Sequence, residues 1–108
     1  MMEDGEKKRL EMKTKVFKIF SDPTRLRILE VLRVKETNVS ELVEELDLKQ
    51  STVSQHLKML KDCGAVDNWK DGRESIYRLR DKRVGEIMDL GEELLILTIE
   101  DMASCVCK

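Results

Sequence analysis

The stretch between Asn38 and Gly64 constrains the fold more than any other part of the sequence, because it holds two short helical patterns with almost no chain between them. Asn38 is followed three residues later by Glu41, an arrangement like the capping box at the start of a helix. The second pattern, STVSQHLKMLKDCG, has apolar residues at i, i+4 and i+7 and ends at a glycine. So short a connection predicts two helices packed directly against each other.

The periodicity changes from helical to alternating immediately after Gly64. In AVDNWKDGRESIYRL the apolar and aromatic residues lie on both sides of a central Asp71-Gly72. Asp-Gly is among the strongest short hairpin signals, because both central residues of a type I′ turn need a positive φ. We therefore predict a two-stranded ribbon with Asp71 and Gly72 at the centre of its turn. A helix pair followed by such a ribbon is a winged helix-turn-helix, a mainly α fold with a β-hairpin wing.

Further helices are predicted on both sides of this unit. Lys8 to Phe20 is an amphipathic pattern, and SDPTRLRILEVL follows it with Ser21 or Asp22 as the helix cap and Pro23 in the first turn. The segment from Asp81 to about Ala103 is helical again. Its apolar stripe is too wide for a helix at the edge of one small monomer, so we expect it to bury a face against a second copy of the chain.

The charge of the chain is unevenly distributed. The formal net charge of −2 would by itself argue against a nucleic-acid partner. Between Lys49 and Arg80, however, seven Lys or Arg residues stand against four Asp or Glu, whereas Glu36 to Asp47 and Asp81 to Lys108 are acidic. A phosphate backbone would meet that local positive field, so we predict double-stranded DNA as the partner.

The major groove admits one α-helix, and the exposed side of the second helix carries side chains suited to it. Gln bonds adenine, Ser and Thr bond phosphate or base, and Lys supplies charge, while the hairpin tip adds two cations. The candidate DNA-contacting residues are Gln50, Ser51, Thr52, Ser54, Gln55, His56, Lys58, Lys70 and Arg73. His56 borders the buried stripe, so a structural hydrogen bond and a phosphate contact both remain open for it.

Length and composition set the remaining expectations. A chain of 108 residues is expected to form one domain, here residues 1–108, and it shows no apolar stretch that suggests a signal sequence or a membrane helix. We therefore expect a cytoplasmic protein with no membrane partner, in which three cysteines are free thiols, ligands or sensors. No C-x-x-C begins a helix, so an enzyme of the thiol oxidoreductase class is not expected. A winged-helix module that binds protein is the alternative to a DNA-binding protein.

The segments FSDPTRLRILEVL, VSELVEELDLKQSTVSQHLKMLKDCGAV and DGRESIYRL resemble the ArsR/SmtB family of small metal- or metalloid-responsive repressors. The resemblance runs from about Val16 to Leu79, most of the chain. It implies a homodimer joined by the first and last helices, a reading helix from Ser51 to Asp62 that binds an operator, and an inducer that releases it.

The resemblance leaves the cysteines as candidate sensors. Family members often carry a Cys-x-Cys site at the helix matching Val39 to Leu46, where this chain has none, and the one histidine excludes a His-rich zinc site. The candidate ligands are Cys63, Cys105 and Cys107, which suit thiophilic inducers such as As(III), Sb(III), Cd(II) and Pb(II). The alternatives are that Cys63 is a small buried residue packed near Gly64 and that Cys105 and Cys107 are incidental residues of the chain end.

Geometry adds a condition on the tail cysteines. Helical residues two apart point about 200° away from each other, so Cys105 and Cys107 could bind one ion only outside a helix. We therefore expect residues 105–108 to form a flexible tail that can reach Cys63. A redox- or sulfur-responsive repressor that uses the same thiols is the alternative.

Overall fold

A computed structural model describes residues 2–106, without the side chains of residues 105 and 106. Five helices and three short strands follow one another along the chain. They are α1 (Asp4–Lys18), α2 (Pro23–Val34), β1 (Thr37–Asn38), α3 (Val39–Leu46), α4 (Gln50–Asp62), β2 (Val66–Asp71), β3 (Glu74–Leu79) and α5 (Lys82–Val106). The predicted order of a helix pair, a hairpin wing and flanking helices is confirmed.

The junction of α1 and α2 is held by two polar side chains. Asp22 is the cap of α2, since its Oδ2 accepts a hydrogen bond from the backbone N–H of Arg25 at 3.0 Å, and Pro23 occupies the first helical position. The guanidinium group of Arg25 donates to the carbonyl oxygens of Lys18 at 2.7 Å and Ile19 at 3.2 Å. These carbonyls lie at the C-terminal end of α1 and have no partner within that helix. Arg25 therefore satisfies the last carbonyls of α1, while Asp22 caps the first turn of α2.

The start of α3 is the predicted capping arrangement with one difference. Asn38 Oδ1 accepts the backbone N–H of Glu41 at 2.8 Å, as expected. The Glu41 carboxylate accepts a hydrogen bond from the hydroxyl of Thr37, which is 3% exposed. The cap therefore extends one residue further back than the sequence indicated, into β1.

The core lies where α2, α3, α4 and the base of the sheet meet. Fully buried side chains come from each of these elements, so the helix pair and the wing share one apolar interior. The buried apolar residues are Ile19, Ile28, Leu29, Leu32, Leu42, Leu46, Val53, Leu57, Leu60, Ala65 and Val66.

The sheet has three antiparallel strands in the order β1-β3-β2. β1 was not predicted, because two residues are too few to show an alternating pattern; Thr37 pairs with Tyr77 and Asn38 with Ile76. The predicted position of the hairpin turn is wrong by one residue. Asp71 pairs with Glu74, so the two turn residues are Gly72 and Arg73, and only Gly72 has a positive φ, +65°.

This turn has the φ signs of type II′, which needs glycine only at its first central position. A turn centred on Asp71 and Gly72 would require a positive φ at Asp71. The observed turn places that conformation at Gly72, which adopts it at lower cost.

The two terminal helices lie largely outside the core. No residue of α1 is buried, and every residue of α5 from Asp89 to Ser104 is exposed. The radius of gyration of 17.0 Å exceeds the roughly 13 Å expected for a compact domain of this length. α5 starts at Lys82 and runs through Val106, beyond the predicted Ala103. Among residues 2–106 no helix is both long and apolar enough to cross a membrane.

Candidate nucleic-acid interface

α4 separates its buried and exposed sides sharply. Val53, Leu57 and Leu60 are each 0% exposed and fix one side of the helix against α3 and the sheet. The opposite side is open to solvent over almost its whole length. The exposed residues of the predicted set on this helix are Gln50, Ser51, Ser54, Gln55 and Lys58, while Thr52 is half-buried.

A glycine turn at the end of α4 determines how the wing leaves the helix. The N–H of Gly64 donates to Lys61 O at 3.0 Å, and the N–H of Ala65 donates to Leu60 O at 2.8 Å. This is the Schellman pairing, and Gly64 takes the required left-handed conformation with φ +82°. Because the next residues form β2, this turn sets the angle between α4 and the hairpin.

The hairpin carries its predicted cations at the tip. Lys70 is exposed next to the end of β2, and Arg73 is one of the two turn residues. Both are placed together at the far end of the wing, as the sequence indicated. No ion pair of these two side chains is found within the described residues, so their charges face solvent.

A brace that the sequence did not indicate stiffens the outer face of the hairpin. Arg78 Nε donates to Asp67 Oδ1 at 2.9 Å, and its guanidinium carbon lies 5.0 Å from the centre of the Trp69 ring. The Asp67 carboxylate is the main reason that the pKa of Arg78 is raised. Asp67 and Arg78 oppose each other only in the observed register, which could not be read from spacing before the turn was placed.

His56 does not share the fully exposed side of α4. Its side chain is 23% exposed, and its Nε2 lies 3.9 Å from Oδ2 of Asp22, the carboxylate that caps α2. The imidazole of His56 therefore extends from α4 toward the start of α2.

The Asp22 carboxylate is an anion over the whole neutral range. Its pKa is lowered, chiefly by the hydrogen bond from the backbone N–H of Arg25; partial burial opposes this, and the charges of His56 and Arg25 add to the lowering. His56 therefore faces a permanent negative charge at neutral pH.

The predicted thiol ligands are spread along the chain. Cys63 is half-buried at the C-terminal end of α4, where it packs beside the core, and the backbone of Cys105 lies in the last turn of α5. Cys107 lies outside the described residues. Among residues 2–104, whose side chains the structure describes, no group of three His, Cys, Asp or Glu side chains is close enough to hold a metal ion.

A groove of about 360 Å³ lies between α1, α2 and α5, away from α4. Aromatic and aliphatic side chains form most of its wall, and two carboxylates, Glu30 and Glu92, stand among them. Large exposed apolar residues continue along both terminal helices beside it. On α1 they are Leu10, Met12, Val16 and Phe17, and on α5 they are Leu90, Leu94, Leu95, Ile96, Leu97, Ile99 and Met102.

Comparison with known proteins places this arrangement among transcriptional regulators. Residues 22–68 match the model of a bacterial regulatory protein family, the arsR family. An uncharacterized HTH-type transcriptional regulator of Methanocaldococcus jannaschii is 41% identical over 85 residues, which cover 78% of this chain and 96% of the relative. The arsenical resistance operon repressor of Staphylococcus xylosus is 34% identical over 94 residues, 86% of each chain.

A solved structure agrees in fold. The homodimeric winged helix-turn-helix DNA-binding domain from Mycobacterium bovis superposes with a TM-score of 0.81 at 24% identity, covering 93% of both chains. At this identity the similarity concerns the fold, and the winged helix-turn-helix prediction is confirmed.

Proposed function

The chain belongs to the ArsR family of bacterial regulatory proteins, and from this premise we propose that it is a homodimeric transcriptional repressor that binds an operator through α4 and the wing. The single observation that carries the proposal is the two-sided α4, with three apolar side chains fully buried and five residues of the predicted DNA-contacting set exposed on the other side. The relatives are transcriptional regulators, so the expectation that this is not an enzyme is confirmed at the level of the family.

The proposed contacts divide into two groups. Gln55, Ser51 and Ser54 lie on the exposed side of α4 and are suited to base edges in the major groove. Lys58, Lys70 and Arg73 supply charge for the phosphate backbone and the adjacent groove. Gln50 and Thr52, in the first turn of α4, and the half-buried His56 also belong to the proposed set.

The proposed dimer uses α1 and α5. Large apolar side chains are exposed along both helices, and a groove with a mostly apolar wall lies between them. Exposed apolar surface of this kind marks interaction sites. The solved neighbour of the same fold is homodimeric. A two-fold dimer would present two copies of α4 to successive major grooves, which predicts an operator with two related half-sites.

The test of DNA binding starts from a random pool of duplexes, from which bound sequences are selected and then titrated at two salt concentrations. We expect Gln55→Ala to weaken binding by about 1–3 kcal/mol and to relax base preference at one position of each half-site. Arg73→Ala should weaken binding to all sequences alike and reduce the salt slope by about one unit.

Lys61→Ala is the control. Like Arg73→Ala it removes one positive charge, but from an exposed position in the last turn of α4 that lies outside the proposed set. Equal losses for Lys61→Ala and Gln55→Ala would contradict specific reading by this face. A wild-type protein with no affinity for any duplex at low salt would favour the protein-binding alternative.

We propose further that a thiophilic ion, As(III), Sb(III), Cd(II) or Pb(II), acts as the inducer. The proposal is supported by the position of Cys63 at the end of α4, where a bound ion would act on the DNA-contacting helix, and by the arsenical resistance repressor among the relatives. Cys105 and Cys107 would provide the remaining thiolates, which requires the last turn of α5 to unwind at Cys105. Redox or sulfur chemistry at these thiols is the alternative inducing event.

Release of the selected duplex by arsenite, Cd(II) and polysulfide distinguishes these inducers. We expect Cys63→Ser, and the double variant Cys105→Ser with Cys107→Ser, to lose the response while both still bind the duplex. Release by polysulfide alone would favour the redox alternative. An unchanged response to the ions in both variants would show that the thiolates do not sense them.

A further inference from the structure

A carboxylate of α2 and the imidazole of α4 face each other across the helix packing. His56 Nε2 and Asp22 Oδ2 are 3.9 Å apart, with the side chains 23% and 32% exposed. This separation is too long for a hydrogen bond, so the attraction across it is strongest when both groups are charged. The carboxylate has that charge at neutral pH, and an imidazole has its charge when it is protonated.

The two residues also join the parts of the fold that hold α4 in place. Asp22 Oδ2 is occupied with the backbone N–H of Arg25 and cannot swing away without opening the first turn of α2. His56 lies between Gln55, on the proposed DNA-contacting side, and Leu57, in the core. A change in the contact between His56 and Asp22 would therefore alter the orientation of α4 relative to α2.

We propose that His56 is a positioning residue for α4: when protonated, it is drawn to the Asp22 carboxylate, and this holds α4 in the orientation that binds the operator. The inference rests on the proposed DNA-binding function and adds a regulatory input to it, the pH of the surroundings. Apparent affinity scales with the fraction of molecules in the competent orientation, so protonation of His56 should tighten operator binding.

The Asp22 carboxylate interacts with two cationic side chains, His56 and Arg25. The Arg25 guanidinium is turned toward the end of α1 by its bonds to the carbonyl oxygens of Lys18 and Ile19. The residues one turn before and after His56 on α4, Thr52 and Leu60, are uncharged. Within the described part of the chain, α3 and the sheet place no carboxylate within 4.0 Å of His56, so Asp22 is its ion-pair partner.

A direct contact of His56 with a DNA phosphate would also make binding stronger at low pH. The phosphate-binding role and the positioning role differ in whether the effect of His56 needs the Asp22 charge. If His56 acts through Asp22, removal of the Asp22 charge should abolish the effect of His56. If His56 contacts phosphate, the effect should survive that change. Asp22→Asn separates the two cleanly, because asparagine keeps the helix cap while it removes the charge.

The experiment is a double-mutant cycle in operator affinity with wild type, His56→Gln, Asp22→Asn and the double variant, each at about pH 6 and about pH 8. At the lower pH we expect each single variant to bind about threefold to tenfold more weakly than wild type, and the double variant to bind no worse than the singles. At the higher pH all four proteins should bind alike.

Equal coupling at both pH values, or no coupling at either, would overturn the proposal. So would a pH response in Asp22→Asn that matches that of wild type, since this is the signature of a phosphate contact. If His56→Gln fails to fold, the pH profiles of wild type and Asp22→Asn still decide between the two roles.

Thermal unfolding of all four proteins at both pH values checks for a purely structural role. Coupling that is seen in unfolding but not in operator affinity would overturn the proposal. Wild-type protein that binds no duplex at either pH would refute the DNA-binding function itself, and that result is distinct from binding without coupling.

Discussion

The guanidinium group of Arg33 holds the carboxylate of Asp89 at both of its oxygens, with Nη1 2.9 Å from Oδ1 and Nη2 3.0 Å from Oδ2. This pair fastens α5 to α2. The same guanidinium lies so close to Gly85 that an added Cβ there would stand 3.0 Å from its Nε. α5 is therefore attached to the core through its first two turns, while the rest of the helix projects beyond it.

Asp89→Asn should lower the thermal midpoint of unfolding at low ionic strength, because it removes the charge that Arg33 binds in two places. The pair is partly exposed, so the loss should be small and should shrink in high salt, where such pairs are screened. Glu93→Gln, on an exposed part of the same helix, is the control. If the difference in thermal midpoint between the two variants did not depend on salt, Asp89 would contribute by packing and not by its charge.

Leu94→Asp should convert a dimer into a monomer. Leu94 is 66% exposed on the projecting part of α5, so the fold of the monomer should survive, whereas a charge in the proposed dimer interface would be buried. Sedimentation at micromolar concentration measures the change, and circular dichroism confirms the fold. Val34→Asp, at an apolar residue 84% exposed at the end of α2, should remain dimeric. A wild-type protein that sediments as a monomer would refute the proposed interface.

Gly64→Ala should reduce the free energy of unfolding by about 1–2 kcal/mol, because alanine must adopt the left-handed conformation, φ +82°, that ends α4. The added Cβ would also meet Arg80 Nη1 at 2.9 Å, but the tip of that flexible side chain can move away. Gly64→Asn should cost less, since asparagine tolerates this conformation. In urea titrations Gly5→Ala, with nothing within 4 Å of the new methyl group, should be close to neutral or slightly stabilising.

Asp81→Asn should make stability less sensitive to acid. The side chain of Arg83 first, and its backbone N–H second, hold the pKa of Asp81 far below its usual value of 3.8. A carboxylate with a lowered pKa in the folded state stabilises the protein above its unfolded pKa and loses that contribution as the pH falls through the folded value. The unfolding midpoint of the variant should therefore fall less than that of wild type below about pH 4. Arg83→Gln should have the same effect, and a steeper acid dependence in either variant would contradict it.

Local rules predicted most of the helices because their determinants are close together in the sequence. Asn38 and Glu41, or Asp22 and Pro23, are near neighbours whose spacing alone indicates a helix start. The β1 strand and the position of the turn depend on pairing instead. Gly72 and Arg73 became the turn because the register of Val66 with Leu79 places them there, and that register also depends on packing of both residues in the core.

For the candidate interface, the sequence predicted which side of α4 is exposed, because burial of Val53, Leu57 and Leu60 fixes the helix rotation. It left the role of His56 open and missed Arg78. Both side chains take their partners from other elements, His56 from the start of α2 and Arg78 from the neighbouring strand. Helix periodicity carries no information on such pairs.

The two residues of β1 have a consequence for the kind of operator that the protein can accept. They pair with β3, the middle strand of the sheet, and Asn38 is at the same time the cap of α3. The hairpin therefore cannot bend toward or away from the duplex without disturbing the helix pair. In the proposed complex the DNA has to adapt to a nearly fixed angle between α4 and the wing, so operators should be selected for how readily the double helix curves as well as for their bases.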